Sequence, residues 1–287
     1  MKALTLQEIQ KTELELLLKY DAVCREKGLR YSLGGGTLLG AIRHKGFIPW
    51  DDDIDVMMPR PDYEAFLQIC RTEAVPFRLV TYETTEGYYG LFAKIWDPET
   101  LIQDEVMDVP YEIGVNIDVF PIDGLGASER EALKIFKKTA WNREMLNAVL
   151  WKRYFRSKTH SILVEPIRLT MFVLSRFTDP KKLLRQVDAE NLKHPFEDAA
   201  YAGCVCGSYR EQEIMTKETF ENYIDTEYEG HSLKAIRNYD EYLTKHYGDY
   251  MQLPPEEKRL THHTYRAYWR VERGELRVES GEIRVES

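Results

Sequence analysis

At 287 residues, 43% of them hydrophobic and 30% charged, the chain has the composition of a globular protein with a sizeable core, which excludes disorder throughout. Its formal net charge of -9 argues against general nucleic-acid binding, which needs a basic face, but leaves room for a small anion held by a metal and a few local cations. Cys24, Cys70, Cys204 and Cys206 are scattered, and Met1 to Leu18 carries charges throughout, so the expectation is reduced thiols, no signal peptide and a cytoplasmic location.

Thr5 with Glu8 three residues on forms a capping box, and Ile9, Leu16, Leu17, Tyr20 and Val23 share one face of the helix that follows, which Gly28 stops. Leu29 to Leu33 reads as a short strand running into Gly34-Gly35-Gly36, and Thr37 to Arg43 as a short helix with Leu38, Leu39 and Ile42 inward. His44 to Trp50 is a loop broken by Gly46 and Pro49. Asp53 to Met57 alternates as a half-buried strand does, which puts Asp53 and Asp55 on one face and Ile54 and Val56 on the other. Asp51 is in phase with the first pair but lies in the loop; Asp52 points the other way. Pro59 ends the strand and Pro61 opens a helix through Tyr63, Phe66, Leu67 and Cys70.

Further strands are predicted at Phe77 to Tyr82, Tyr88 to Trp96, Leu101 to Asp104 and Gly114 to Phe120. In the last, Asp118 falls on the face opposite Val115, Ile117 and Val119, and Pro121 to Gly124 supplies a closing turn. After Gly126 come three helices: one capped by Ser128 and running to about Phe155, one over Ile162 to Phe177, and one from Asp179-Pro180 to about Leu192. Ile162 to Phe177 is too short to span a bilayer and is interrupted by Glu165, Arg168 and Arg176. It reads as a core helix; the alternative is a helix lying on a membrane surface with its arginines near headgroups. From Tyr201 the elements are short and mixed, with a helix over Asn238 to His246 and a turn-rich Gly248 to Pro255. Cys204-x-Cys206 could offer two zinc ligands, but no second pair follows, which favours two alternating strand residues. Seven-residue repeats starting at Arg270, Arg277 and Arg284 read as a strand-prone or disordered tail. The expected organisation is a core over 1–126, a helical insertion over 127–196, a mixed segment over 197–270 completing the domain, and a tail over 271–287.

The chemistry concentrates in Gly34 to Asp55. Asp51, Asp52, Asp53 and Asp55 repel one another unless a cation sits among them. Asp53, Asp55 and the later Asp118 are hard oxygen donors suited to magnesium or manganese, and two such ions can clamp the entering and leaving oxygens of a phosphoryl displacement. The glycine turn runs into a helix and turns backbone N–H groups toward an anion. Thr37 can add its hydroxyl, and Arg43 and Lys94 can neutralise phosphate oxygens. A triple glycine alone is often only a turn, and an acidic run alone is often a solvated loop. Glycine turn, helix, Asp-x-Asp on a strand and a lone Asp on a later strand together are more specific.

That order resembles the nucleotidyltransferase fold of polymerase-beta-like enzymes. More closely, GGGTLLGAIRHKGFIPWDDDIDV, NIDVFPID and YDEYLTKHYGDYMQLPPEEKR are similar to the LicD family, which includes bacterial phosphocholine transferases and relatives of the fukutin proteins. The resemblance implies an α+β, mixed α/β fold: a nucleotidyltransferase-like mixed sheet with flanking helices and a helical insertion. It implies a phosphotransferase that moves phosphocholine, or a similar phospho-alcohol, from a CDP-alcohol to a sugar hydroxyl, with CMP leaving. The acceptor would be a cell-surface glycan such as teichoic acid or lipopolysaccharide, or its lipid-linked precursor, reached from the inner face of the membrane. Asp53, Asp55 and Asp118 would bind two magnesium or manganese ions, with Asp118 helping to deprotonate the acceptor. Gly35, Gly36 and Thr37 would hold the diphosphate, Arg43 would lie near it, and Trp50 and tyrosines, of which the chain has eighteen, would face the choline head. His262 and His263 follow the Leu-Pro-Pro segment where the family carries histidine, which gives them either a site role or a surface one. The family's cysteine-built zinc site is not reproduced by Cys204 and Cys206. The competing readings are nucleotidyl transfer from a nucleoside triphosphate, with pyrophosphate leaving, and a non-catalytic nucleotide- or choline-binding module.

Overall fold

A computed structural model describes residues 3–104, 109–156, 161–259, 261 and 265–270. The capping box forms as the spacing dictates: Thr5 Oγ1 accepts from the Glu8 N–H at 3.3 Å, and Glu8 Oε2 accepts from the Thr5 N–H at 2.7 Å. Helix α1 (Leu6–Lys27) ends at Gly28, whose φ of 68° lets the chain leave the helix. Its apolar face is buried: Leu16, Leu17 and Tyr20 pack with Phe66 of α3 (Arg60–Thr72) in the main core. Each such side chain contributes roughly 1.5–3 kcal/mol relative to exposure.

The core is laid against a mixed sheet. Strand β1 (Ser32–Leu33) feeds through the glycines into α2 (Gly35–His44), and β2 (Asp55–Pro59) leads into α3. Strands β3 (Arg78–Val80), β4 (Ala93–Trp96), β5 (Thr100–Gln103) and β6 (Asn116–Gly124) follow. The sheet runs β1-β2-β6-β4-β3, with β2 and β6 parallel and the other pairs in that order antiparallel. Parallel β2 and β6 need a long crossover, which residues 60–115 supply. Val56 on β2 and Ile117 and Val119 on β6 face the core, while Asp55, Met57, Phe120 and Ile122 face an open cleft.

Helices α4 (Glu129–Val149), α5 (Glu165–Ser175) and α6 (Pro180–Asn191) form the insertion, with Ser128 and Asp179 as N-caps. The chain then returns to the sheet: β7 (Tyr201–Gly203) pairs with β6 and with β8 (Met215–Thr216). A hairpin of β9 (Tyr223–Tyr228) and β10 (His231–Ile236) precedes α7 (Tyr239–Tyr247). Strand β11 (Arg266–Trp269) pairs with β5 in a separate two-stranded sheet, and Ala3 bridges Tyr268.

Five expectations are corrected. Strand β2 begins at Asp55, so Asp51 to Ile54 are an extended lead-in; Pro49 and the Asp51 N–H bond to the Ile48 carbonyl hold the chain in a turn before it. Strand β6 does not close at Pro121 but runs to Gly124, because Asp123 and Gly124 pair with Gly203 and Ala202. The segment expected as a strand from Tyr88 is ladder-paired only from Ala93; the Tyr88 hydroxyl donates to the Phe92 carbonyl across the bend. Cys204 and Cys206 lie past β7 around a turn, with their sulfurs 3.4 Å apart. Lastly, α5 is not a core helix: within it only Ser175 is buried, and Leu163 and Phe177 at its flanks are 82% and 85% exposed. It meets α4 and, through Met171, the apolar cluster that holds Leu183 and Leu184 of α6; among the described residues its outward apolar side chains stay exposed. His262, His263 and the 271–287 repeats lie outside the described residues.

Candidate active site

The glycine turn and the carboxylates meet at one wall of a cleft of about 900 Å³, a size that suits a nucleotide conjugate. The Gly34 N–H donates to the Asp55 carbonyl at 2.9 Å, so the turn is an extension of the β1–β2 pairing. Gly35 has φ +45°, and a Cβ there would lie 2.8 Å from Asp55 Oδ2. A Cβ at Gly36 would lie 3.0 Å from Asp51 Oδ2. Glycine is therefore required at 35 by conformation and by space together. Thr37 is buried and does not line the cleft; its hydroxyl oxygen accepts from the Asp55 N–H at 2.8 Å and pins α2 to β2.

Asp55 and Asp118 are register partners across β2 and β6, and Lys94 is the partner of Asp118 across β4 and β6. Lys94 Nζ donates to Asp118 Oδ1 and, at 3.1 Å, to Asn116 Oδ1. Lys94 thus meets a carboxylate rather than facing open cleft, and Asp118 sits beside the lining residues rather than among them. Asp51, Asp53 and Asp55 do line the cleft. Burial, followed by the charge of Asp53, pushes Asp51 up to about 8, and the Asp51 and Asp53 carboxyls are hydrogen-bonded. Burial, Asp53 and Asp118 push Asp55 well above the usual carboxylate range against the pull of Lys94.

Sequence reasoning missed Glu13. It lies on the buried face of α1, is 0% exposed, and has no hydrogen-bond partner on either oxygen. Burial pushes it well up, and Asp53, Asp52 and Asp51 add to the shift. An acid between Ile9 and Leu16 on an apolar helix face was the available signal. Helix α1 also fixes the acidic loop, since Gln10 Nε2 donates to the Asp51 carbonyl at 2.9 Å.

These carboxylates suit a hard divalent cation. Asp51 Oδ1 is buried without a hydrogen-bond partner, and the cluster carries more negative charge than its surroundings balance. Among the described residues, no group of three or more His, Cys, Asp or Glu converges tightly enough to chelate an ion as it stands. The donors share one wall and would have to draw together around an ion; Asp51, Asp53 and Asp55 are placed to do so, with Asp118 adjoining.

The cleft lining also carries cations, Arg43 and Arg259. Arg43 Nη1 donates to the Tyr250 carbonyl at 2.7 Å and to that of Gln252 at 3.4 Å, which fixes its guanidinium at the rim. Trp50 lines the cleft beneath Arg259, whose guanidinium lies 5.4 Å from the ring centroid. Arg259 too was missed, because nothing local in its turn-rich segment ties it to Trp50. Tyr209, Glu213, Tyr242 and Tyr247 complete the lining from the C-terminal segment, and the Tyr242 hydroxyl accepts from the Gly35 N–H at 3.4 Å.

A mixed sheet that sets an anion-ready glycine turn against strand-borne carboxylates is a frame for handling phosphate esters. Residues 28–182 match the family profile described as LicD/FKTN/FKRP, nucleotidyltransferase domain. The chain is 36% identical to the lipopolysaccharide cholinephosphotransferase LicD of Haemophilus influenzae, over 93% of this chain and 99% of that protein. It is also 43% identical to an uncharacterised protein of Rickettsia prowazekii, over 45% of this chain and 54% of that one. The chain belongs to the LicD family.

Proposed function

We propose that the protein is a transferase that moves phosphocholine from CDP-choline to a hydroxyl of a cell-surface glycan or its lipid-linked precursor. The observation that carries this reading is the near end-to-end similarity to the Haemophilus influenzae cholinephosphotransferase, on a chain whose glycine turn abuts Asp51 and Asp55. The acceptor oxygen attacks the choline-bearing phosphorus, the bond from that phosphorus to the bridging oxygen breaks, and CMP leaves with both electrons. Gly36 holds the diphosphate through its N–H, and Gly35 does so where its N–H exchanges the long bond to the Tyr242 hydroxyl for a phosphate oxygen. Arg43 faces it from the rim, and the acceptor proton passes to Asp118. Magnesium or manganese held by Asp53 and Asp55, with Asp118 adjoining, supplies charge neutralisation of the phosphates. Lys94 orients Asp118.

No helix among the described residues is long and apolar enough to cross a membrane. The outward apolar residues of α5 and the exposed Arg153 and Arg156 before it support peripheral contact with an anionic lipid surface at the inner face of the membrane. Arg168 and Arg176 are engaged elsewhere, over the rings of Trp151 and Phe172.

The test is a donor screen with CDP-choline, CDP-ethanolamine, CDP-glycerol and CDP-ribitol, magnesium and a glycan acceptor. CMP release with CDP-choline, abolished by a chelator, is the expected result. Pyrophosphate release from CTP, or no product from any donor, overturns the reading.

A further inference from the structure

Glu213 is a buried carboxyl without a counter-ion of its own. It is 4% exposed and lines the cleft. The Lys245 ammonium donates to the Ile214 carbonyl, and its attraction does not offset burial, which pushes Glu213 up to about 8. His246 Nε2 lies 3.5 Å from Glu213 Oε2, but burial pushes this imidazole down to about 4, so it is neutral near pH 7. Neither ring nitrogen of His246 has a hydrogen-bond partner. A cation placed beside this carboxyl would favour its ionised form against burial.

The rings around it form a corner. Tyr209 and Tyr247 meet at 70° with centroids 5.3 Å apart, and Tyr242 stands at 83° to His246 at 4.2 Å. A quaternary ammonium donates no hydrogen bond. It is held by aromatic faces and by a carboxylate; here Tyr209 stacks one face on His246 at 4.6 Å, and Tyr242, Tyr247 and Glu213 line the same cleft. Trp50 of the same cleft is covered by Arg259, and Arg43 lies nearby, so a cation is repelled there.

Position supports the same choice. The Tyr242 hydroxyl reaches the Gly35 N–H, while the ring packs on His246 beside Glu213. The anion turn thus touches the Tyr242 hydroxyl, and Glu213 is joined to the same ring through His246.

We propose that Glu213, with Tyr209, Tyr242 and Tyr247, binds the quaternary ammonium of the alcohol being transferred. This rests on the phosphocholine reading and assigns the residues that choose the head group. Calorimetric titration with choline chloride tests it without catalysis. Wild-type protein should bind choline at least about tenfold more tightly than ethanolamine, and Glu213→Gln should lose at least about tenfold in choline affinity with CMP affinity unchanged. Tyr209→Leu makes the same comparison if the first variant does not fold. Equal choline affinity in the folded variant and the wild type overturns the subsite. If CMP is released from CDP-choline yet Glu213→Gln keeps the choline-to-ethanolamine preference, the subsite fails and the transfer reading stands. If no CDP-alcohol is turned over but choline binding is lost in Glu213→Gln, the subsite stands and the transfer reading fails.

Discussion

Gly35 and Asp55 meet with no room between them: a Cβ at 35 would lie 2.8 Å from Asp55 Oδ2, at a backbone φ of +45°. Gly35→Ala must adopt a left-handed conformation that costs about 1–2 kcal/mol, and it displaces a carboxylate as well. The expected outcome is a melting temperature lower by several degrees and turnover reduced on the order of 100-fold, since small misplacements at a reacting centre are costly. Thermal melts and CMP release measure the two; wild-type turnover in Gly35→Ala removes the turn from the site.

Asp53→Asn and Asp55→Asn keep side-chain size and remove charge. Each is expected to reduce turnover on the order of 100-fold or more while the fold holds, because charge stabilisation at a phosphoryl centre is the main contribution of such groups. Magnesium titrations followed by calorimetry should show weaker binding in both. Unchanged magnesium affinity would remove these residues from the metal site.

Asp51 links pH to stability. Its carboxyl is raised from 3.8 to about 8 on folding, so the folded chain holds a proton that the unfolded chain has released across that window. The stabilisation is complete below about pH 4 and is lost as pH rises through 8. Asp51→Asn should therefore gain melting temperature over wild type as pH rises from 5 to 8.5. Magnesium should raise the wild-type melting temperature more at pH 8 than at pH 5, because protons compete for the same oxygens. Melts at a series of pH values decide it; a difference that does not vary with pH contradicts the assignment.

Ile167 and Val173 are 57% and 49% exposed on α5. Ile167→Glu with Val173→Glu should leave the melting temperature within about 2 °C of wild type, as exposed sites usually do. The pair should abolish co-sedimentation with vesicles of anionic phospholipid. Failure of wild-type protein to sediment with such vesicles ends the membrane reading, and unfolding of the variant returns α5 to the core.

Much of this was legible in residue order. The Thr5–Glu8 box and Gly28 set both ends of α1, and alternation placed Asp118 opposite Ile117 and Val119, on the face it shares with Asp55. What escaped depends on distant partners. Period-two reasoning cannot tell where a ladder begins, so β2 was started two residues early. Pro121 looks like a stop, yet it and Ile122 still pair with Met58 and Pro59 of β2, and Asp123 and Gly124 then pair with β7, some eighty positions on. An apolar helix face does not state whether another layer covers it, and for α5 none among the described residues does. Glu213 ends a four-residue 3₁₀ turn, and the rings of Tyr242 and Tyr247 that share the cleft with it come from α7, so no local pattern marks it.

The hydrogen bond between Tyr242 and Gly35 spans 207 positions of chain. A nascent polypeptide that has emerged only through β6 can lay down the carboxylates and the glycine turn but lacks Tyr242, β7 and the rings around Glu213. Such a partial product has the carboxylate wall of the cleft without Tyr209, Glu213, Tyr242 and Tyr247, so the cleft is complete only once the chain through α7 has been made.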